Sequence, residues 1–426
     1  IEMKAVSNNS KLTPVEIRSK CRALAMEMID KQRDQFRDFA IMTDFDHPYI
    51  TLNHSYEVAQ LHVFKRLVEN GLLSRQLKPV WWGTETQTAL AEAELEYKAD
   101  HISTAVYVKY KVQGKENTHL LIWTSTPWTL PANKAICVNE NLSYTIVTNQ
   151  VSGEQLVVAQ DLAESVVALN NDFKISLTVI SGTELLSWKY QDPVTSEVRL
   201  ILHGDHVTNS AGTGLVHTAP AHGGEDYAIG KRNGLDVESS VDNEGKYCRV
   251  PSAYEFLLGM PIEKGAWKVI GMLQETKLLF HMNKKFRHSY PYDWRLGKPV
   301  IQRSTSQWFV NVEKIKSAAS ASLDNVDFHP RAGKNRLLAF INNRSDWCIS
   351  RQREWGVPIP VVYNTEGEPV LEVMDHVIAK MDEFGTDEWF VKETDILRWL
   401  PEEYDGTKYH KGKDTMDVWF DSGTSW

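Results

Sequence analysis

Three consecutive hydroxyl side chains are the first groups in this sequence that could bind a polar substrate. Thr124, Ser125 and Thr126 lie in the segment 123–133, which also holds two Trp and two Pro. Because proline restricts the backbone, this composition predicts short donors and acceptors on one rigid, non-helical segment. A strand end with solvated hydroxyls is the alternative, since Thr is common in strands. The surrounding Trp and Pro residues favour a binding site over a solvated strand end.

A second segment, 212–227, combines Gly, Pro, His and acidic residues. It predicts a strand over 215–218, a loop rich in Gly and Pro, and a helix that begins near Glu225. Loops at strand ends often carry functional groups, so His217 and Asp226 are candidate site residues. Taken singly, His217 is better explained as a hydrogen-bonded interior histidine, and Asp226 as a first-turn acid that complements the helix dipole. A metal site would add a third ligand from the same loop.

Basic and aromatic residues are interleaved in the C-terminal part of the chain. The pattern suits a phosphate backbone and stacked bases, although a solvated face explains the charges alone. The residues are Lys284, Lys285, Arg287, Tyr290, Tyr292, Trp294, Arg295, Lys298, Arg303, Arg344, Trp347, Arg351, Arg353 and Trp355.

Composition bounds the class of protein. Of the 426 residues, 24% are charged and 42% hydrophobic, which excludes disorder, collagen-like repeats and coiled coil as the main character. Lys plus Arg minus Asp plus Glu is 47 − 56 = −9, which argues against a generally basic surface. The four Cys stand far apart, so we expect a reducing compartment and no structural zinc. The apolar runs are too short to span a bilayer. The chain begins with Ile1 and has no signal-peptide pattern, and we expect a piece of a longer protein.

The elements that must position these residues change along the chain. The spacing predicts a mainly helical region over 1–100, in which a capping box at Thr13 begins one helix and Gly71 ends another. Short, regularly spaced strand-like runs predict a sandwich or barrel over 101–280. Mixed segments follow over 281–426. The predicted architecture is an all-β block inserted into an α/β protein.

Together these segments resemble isoleucyl-tRNA synthetases of the bacterial or mitochondrial type. Segment 123–133 resembles the threonine-rich peptide of their editing domain, and 212–227 resembles its second motif. Further similarity, to the start of the inserted region and to its return, extends over 78–80, 88–97, 346–356 and 417–423. The resemblance implies an internal fragment with an α/β fold, in which parts of a class I Rossmann-like catalytic domain carry an inserted β-barrel editing domain.

The resemblance implies hydrolytic editing, the deacylation of misacylated valyl-tRNA(Ile). Valine lacks one methylene of isoleucine, and that difference is worth only about 1–3 kcal/mol, a limit that synthetases of this family themselves exemplify. The complete enzyme would ligate isoleucine to tRNA(Ile) with ATP and Mg²⁺. Neither a His-Ile-Gly-His nor a Lys-Met-Ser-Lys-Ser motif occurs here, so editing, without a cofactor, is the activity expected of these residues.

The implied partner is tRNA(Ile) with a valyl or isoleucyl ester at its 3′ end. A monomer that does not bind membranes is expected. The implied location is the mitochondrial matrix, with a bacterial cytoplasm as the alternative.

By the same resemblance, Thr124, Ser125, Thr126 and Asp226 are catalytic. The Asp226 carboxylate would pair with the α-ammonium of the valyl group. The hydroxyls would hold the terminal adenosine and the ester and help to place the attacking water. At Ser125 the family usually has Thr, so the hydroxyl is kept and a methyl group is lost.

The implied substrate-binding residues are Trp123, Asn133, His217 and Trp419. Asn133 would support the pocket, and His217 would line its amino-acid side. Trp419 would belong to the separate site where the family recognises isoleucine. Residues 81–86 stand where many bacterial members carry a zinc-binding Cys pair, so no metal is expected there.

Two other functions stay open at this point. One is a non-catalytic tRNA-binding module that uses the basic, aromatic C-terminal part. The other is a metal-dependent hydrolase that uses His217, His222 and Asp226, although their spacing matches no common zinc pattern.

Overall fold

The computed structural model describes residues 12–344, 346–392 and 395–425. It divides the chain into two units. The first takes the described parts of Ile1–Gln76 and Gln307–Trp426, and the second is Leu77–Ser306. The predicted β block, 101–280, lies within the second unit.

Two helices, α1 (Pro14–Asp38) and α2 (His54–Glu69), begin the first unit. The predicted capping box starts α1: the Thr13 hydroxyl accepts the N–H of Glu16 at 3.3 Å, and the Glu16 carboxylate accepts the N–H of Thr13 at 2.7 Å. The second helix ends as predicted, with Gly71 after it at a φ of +62°. Residues 1–11 of the predicted helical region lie outside the described residues.

The prediction of a mainly helical region fails after α2. Residues 73–100 are mostly extended, with strand β1 (Leu73–Gly83) paired antiparallel to β2 (Thr88–Leu90). Val80 and Trp82 are buried in β1. Branched and aromatic side chains of this kind pack well on a half-buried sheet, and that packing outweighs the helical pattern upstream.

The second unit is built on a mixed sheet. Its strands are β3 (Leu95–Val112), β4 (Thr118–Thr124), β5 (Ala135–Val138), β6 (Ser143–Asn149), β7 (Gln155–Ala159), β8 (Phe173–Ser181), β9 (Lys189–Gln191), β10 (Val198–His203), β11 (Val216–Thr218), β12 (Leu279–Asp293) and β13 (Lys298–Pro299). Their order in the sheet is β13-β12-β3-β9-β10-β5-β11-β4-β7-β6-β8. Its helices are α3 (Ala163–Val167), α4 (Gly182–Leu185), α5 (Gly224–Arg232) and α6 (Ile262–Glu275).

Strand β3 pairs with β4 as well as with β9. The pairings therefore run in a cycle, β3-β9-β10-β5-β11-β4 and back to β3. Each strand of the cycle has a hydrogen-bonded neighbour on both sides. Within it, β4 and β11 run parallel, as do β5 and β10.

Strand β14 (Ile301–Val310) leads back to the first unit. The helices that follow are α7 (Glu313–Ser322), α8 (Ala332–Asn343), α9 (Met374–Phe384) and α10 (Val418–Gly423). The strands are β15 (Trp347–Cys348), β16 (Ser350–Arg351), β17 (Val362–Asn364), β18 (Pro369–Val370), β19 (Tyr409–Lys411) and β20 (Thr415–Met416). β16 pairs antiparallel with β20, and β17 pairs antiparallel with both β18 and β19. The Rossmann-like sheet of a class I catalytic domain stays a prediction.

Each unit has its own core. In the first unit, Leu61 and Phe64 of α2 share a buried cluster with Trp308 and Val377. In the second, Ile229 of α5 belongs to the same cluster as the buried residues of β5 and β10, and this contact anchors α5 to the sheet. Among the helices of the described ranges, none has the length and the apolar character needed to cross a membrane.

Candidate functional site

The two polar segments singled out in the sequence meet because their strands are parallel neighbours. Val216 of β11 pairs with Trp123 of β4. Parallel strands end at the same edge of a sheet, so the hydroxyl run after β4 and the Gly- and Pro-rich loop after β11 lie side by side. The loop then enters α5, whose first turn carries Asp226.

A cavity of about 280 Å³ lies at this edge, and we call it the polar cavity. It brings together six of the eight predicted site residues, namely Trp123, Thr124, Ser125, Thr126, His217 and Asp226. The other two lie elsewhere. Asn133 is fully buried and bonded to His217, and Trp419 belongs to α10 of the first unit, where its side chain is 56% exposed.

The three hydroxyls have different tasks. Thr124 Oγ1 accepts the N–H of Thr126 at 3.1 Å and lies 3.2 Å from Thr126 Oγ1, so this pair shapes the turn. The carbonyl oxygen of Thr126 accepts the hydroxyl of Thr129 at 2.9 Å. Ser125 Oγ has no hydrogen-bond partner among the described residues. Ser125 is therefore the hydroxyl that is available to a molecule in the cavity.

Asp226 presents a carboxylate to the polar cavity. Its Oδ2 accepts the backbone N–H of Ala219 at 2.8 Å. Within the described part of the chain, no hydrogen bond is made to its Oδ1. Burial raises the pKa of Asp226 above the ordinary value, although the Ala219 bond acts in the opposite direction. A cation in the cavity would pair with the free oxygen and stabilise the ionised form.

His217 is held as a neutral interior imidazole. Thr129 Oγ1 donates to Thr126 O, so it accepts from His217 Nε2 at 3.0 Å. His217 Nδ1 accepts from Asn133 Nδ2 at 2.7 Å, which places the proton on Nε2. Burial lowers the pKa of His217 to about 3, and His222 and Arg199 add repulsion. With both ring nitrogens engaged, His217 orients the site and cannot take up a proton near neutral pH.

A buried network fixes Asn133 behind His217. Its Oδ1 accepts the Tyr190 hydroxyl at 2.5 Å and the Arg199 guanidinium at 3.1 Å. The same guanidinium donates to the Asn133 carbonyl oxygen at 2.7 Å and pairs with Asp192 at 2.6 Å. The amide nitrogen of Asn133 donates to the Ala135 carbonyl oxygen at 2.9 Å as well as to His217 Nδ1. The amide therefore has one orientation, which also fixes the position of His217.

The geometry does not favour the metal site considered above. His222 Nδ1 lies 3.0 Å from the Gln302 carbonyl oxygen, and its Nε2 lies 2.8 Å from Ser240 Oγ. Since the nitrogens of His217 are also bonded, neither imidazole offers a free lone pair. Over the ranges that the structure describes, no group of three His, Cys, Asp or Glu side chains is arranged to hold a metal ion.

His206 lines the polar cavity and was missed in the sequence. Its Nε2 is buried and has no hydrogen-bond partner in the described chain. Its ring packs against Gly204, where a Cβ would lie 2.6 Å from His206 Cε1, so a larger residue at that position would displace the ring. The sequence does contain a signal for His206, because Gly-Asp-His follows β10 directly and precedes the Gly-rich loop.

The fold and the cavity define a class: an α/β protein in which a mixed-sheet unit, with a polar site at the ends of two parallel strands, is inserted into the sequence of the first unit. The family model for tRNA synthetases class I (I, L, M and V) matches residues 1–426, and the chain belongs to this family.

Curated relatives show which members of this family the chain is similar to. The mitochondrial isoleucine–tRNA ligase of Saccharomyces cerevisiae is 41% identical over 100% of this chain and 46% of its own length. The isoleucine–tRNA ligase of Synechococcus sp. is 44% identical over 97% of this chain and 45% of its own length. These relatives confirm the resemblance to isoleucyl-tRNA synthetases. The chain spans slightly less than half the length of each.

Among solved structures, the P. knowlesi cytosolic leucyl-tRNA synthetase editing domain matches 43% of this chain and 97% of its own. The identity is 12% and the TM-score 0.35.

Proposed function

We propose that the polar cavity hydrolyses the ester bond between a misattached amino acid and tRNA(Ile), with valine as the amino acid. One observation carries the proposal: a free hydroxyl at Ser125 and an available carboxylate oxygen at Asp226 face one cavity, in a chain of the class I synthetase family. An aminoacyl ester has an α-ammonium for the carboxylate and polar oxygens for the hydroxyl.

Hydrolysis of an aminoacyl ester requires only a few positioned protein groups. Water attacks the acyl carbon, the new C–O bond forms as the ester C–O bond breaks, and the terminal ribose oxygen takes a proton. Asp226 anchors the α-ammonium, Ser125 donates to the ester or holds the water, and Thr124 with Thr126 keeps the turn in shape. His217 supports the wall through its two hydrogen bonds.

The same proposal covers the fold and the whole protein. The cycle of six strands is interpreted as the β-barrel of an editing domain. The complete protein would ligate isoleucine to tRNA(Ile) with ATP and Mg²⁺, as a monomer. The yeast relative is mitochondrial and others are cyanobacterial, so a mitochondrial matrix or a bacterial cytoplasm is the proposed location.

The test is deacylation of valyl-tRNA(Ile) and isoleucyl-tRNA(Ile) by this chain, with a chelator present. Release of valine alone supports the proposal. Valine release that stops in chelator and returns with added metal supports the metal-dependent hydrolase. Binding of tRNA with no release of either amino acid supports the non-catalytic module. Equal release of both amino acids leaves the hydrolase in place but contradicts selection by size.

A further inference from the structure

Four buried polar residues behind the polar cavity form what we call the positioning network: Asn133, Tyr190, Asp192 and Arg199. Each of them is at most 8% exposed. None belongs to the described residues that line the polar cavity. No step of the proposed hydrolysis uses Tyr190, Asp192 or Arg199. Because buried charges and hydroxyls cost stability unless they are fully paired, such a network is expected where it holds one specific geometry.

The positioning network is anchored in the hairpin that joins β9 to β10. Arg199 of β10 is paired directly with Tyr190 of β9. Asp192 follows β9, and its Oδ1 accepts the backbone N–H groups of Val194 at 3.0 Å and Thr195 at 2.8 Å. Its Oδ2 accepts the Arg199 guanidinium at 2.6 Å. The backbone of the hairpin therefore fixes the position of the guanidinium.

The side-chain amide of Asn133 joins this network to the site. Its Oδ1 accepts the Tyr190 hydroxyl at 2.5 Å and the Arg199 guanidinium at 3.1 Å. Its Nδ2 donates to the Ala135 carbonyl oxygen at 2.9 Å and to His217 Nδ1 at 2.7 Å. An amide accepts two bonds at its oxygen and donates two from its nitrogen, so all four positions are filled. No other orientation of the amide would keep these bonds.

His217 is the last residue in this series of contacts, and it lines the polar cavity. Its Nε2 donates to the hydroxyl of Thr129, a second lining residue, at 3.0 Å. Isoleucine exceeds valine by one methylene, so a wall that excludes isoleucine must not retreat by the length of one C–C bond. An imidazole held at both nitrogens by saturated partners meets that requirement.

We propose that Tyr190 and Arg199 are positioning residues that set the selectivity of the hydrolysis for valine over isoleucine. They hold the Asn133 amide, the amide holds the His217 ring, and the ring keeps out the extra methylene. This role rests on the proposed function, because it concerns the selectivity of that same reaction. Since neither residue lines the polar cavity, their replacement should change the selectivity more than the rate with valine.

The experiment compares Tyr190→Phe with Tyr247→Phe. The Tyr247 hydroxyl donates to the Trp128 carbonyl oxygen at 2.7 Å, and both tyrosines are buried. Each variant thus keeps its ring and loses one buried hydrogen bond to segment 123–133. For Tyr190→Phe we expect kcat/KM for isoleucyl-tRNA(Ile) to rise about fivefold relative to valyl-tRNA(Ile), the usual effect of one lost hydrogen bond. The kcat for the valyl ester should stay unchanged, and Tyr247→Phe should keep the parent's ratio.

Arg199→Lys is a second variant with the same expected direction. A lysine ammonium can stay beside Asp192, but it lacks the planar fork that reaches both oxygen atoms of Asn133. The isoleucyl-to-valyl ratio of kcat/KM should rise by ~5-fold or more, because two bonds to Asn133 are disturbed. Circular dichroism and the urea midpoint show whether each variant is folded.

A higher ratio in Tyr190→Phe and Arg199→Lys, but not in Tyr247→Phe, supports the proposal. A higher ratio in Tyr190→Phe alone supports the role of Tyr190 and overturns that of Arg199. An unchanged ratio in folded Tyr190→Phe overturns the proposal, and so does an equal rise in Tyr247→Phe, which would show a general loosening of the segment. A parent that releases both amino acids equally also overturns it, while the proposed hydrolysis stands.

If the parent releases neither amino acid, the proposed function fails, and binding tests the positioning network by itself. The probes are two non-hydrolysable amides, 3′-valylamino-3′-deoxyadenosine and 3′-isoleucylamino-3′-deoxyadenosine, in calorimetric titrations. A preference for the valyl amide that is smaller in Tyr190→Phe than in Tyr247→Phe supports the positioning role. Equal preference in the two variants, or no binding to the parent, overturns it.

Discussion

Asp226 has two properties whose effects on activity and stability can be measured. It keeps one carboxylate oxygen free in the polar cavity, and burial raises its pKa. An acid whose pKa is higher in the folded chain than in the unfolded chain binds protons more tightly when folded. Its ionised form therefore lowers stability above the ordinary pKa. A carboxylate that costs stability is expected where function requires it.

Asp226→Asn should lose deacylation while the fold stays intact. Loss of the charge that pairs with the α-ammonium should reduce kcat/KM at least ~100-fold, because truncating one partner of a charge pair is costly. The amide can still accept the Ala219 N–H, and the urea midpoint at pH 7 should not fall. Valine release and urea denaturation measure the two effects. Glu225→Gln, an exposed neighbour in the same turn, is the control and should keep the parent rate.

His217 should contribute to sensitivity towards acid. Burial lowers its pKa to about 3, so the folded chain resists its protonation. A histidine of this kind gives stability that is complete above its ordinary pKa near 6.5 and is lost as the pH falls towards 3. In His217→Gln, the decline of the urea midpoint from pH 7 to pH 4 should be shallower than in the parent. His222, with a pKa lowered to about 4, keeps part of the slope. Parallel curves for variant and parent would contradict the assignment.

The elements that place the site are held by backbone contacts as well as by the core. The loop before β11 has Gly214 at a φ of +74°. Ala159 of β7 donates its N–H to Thr213 O at 2.8 Å, and the Tyr144 hydroxyl donates to Gly214 O at 3.1 Å. A Cβ on Gly214 would lie 2.3 Å from the Cβ of Ala159. The loop thus packs on β7 at a distance that only glycine allows.

Gly214→Ala should be more destabilising than Gly234→Ala. Both positions have positive φ, at +74° and +67°, so each change should cost about 1–2 kcal/mol in backbone strain. Gly234 faces open space, whereas Gly214 meets Ala159 and should lose another ~1–3 kcal/mol through overpacking. Urea denaturation of the two variants gives the difference directly. Equal losses would show that the loop can move away from β7.

In the molecule as a whole, positive charge is concentrated locally although the net charge is negative. The chain carries −9, yet the proposed binding of RNA requires cations near the polar cavity. Lys284, Lys285 and Arg287 provide a local group of this kind. Electrostatic binding to phosphates should therefore be local and dependent on salt.

Replacing Lys284, Lys285 and Arg287 together by Ala should weaken the salt dependence of KM for valyl-tRNA(Ile). Each phosphate contact on a single strand contributes about 0.7 to the slope of log KM against log salt, so the triple variant should lose up to ~2. Measurement at several KCl concentrations gives the slope. A second triple variant, at exposed Lys111, Lys174 and Lys189 of the same unit, should keep the parent slope. Equal slopes for parent and both variants would remove these cations from the RNA path.

The local features of the fold could be predicted from residues that are neighbours in the chain. The capping box at Thr13 and the glycine stop at Gly71 depend on residues a few positions apart, and both are present in the structure. The hydroxyl run and the acid of α5 were also identified from their types and spacing. The resemblance to isoleucyl-tRNA synthetases depends on the same short segments, and the relatives confirm it.

The way in which those segments form one site depends on contacts between strands that are far apart in the chain. The parallel pairing of β4 and β11 joins residues about ninety positions apart, and no local pattern encodes that distance. The bonds that keep His217 neutral and the unpartnered nitrogen of His206 likewise arise from segments that are distant in sequence. Residue type and spacing predict which groups can do chemistry. Burial and hydrogen bonding, which depend on long-range packing, decide which of those groups are free to do it.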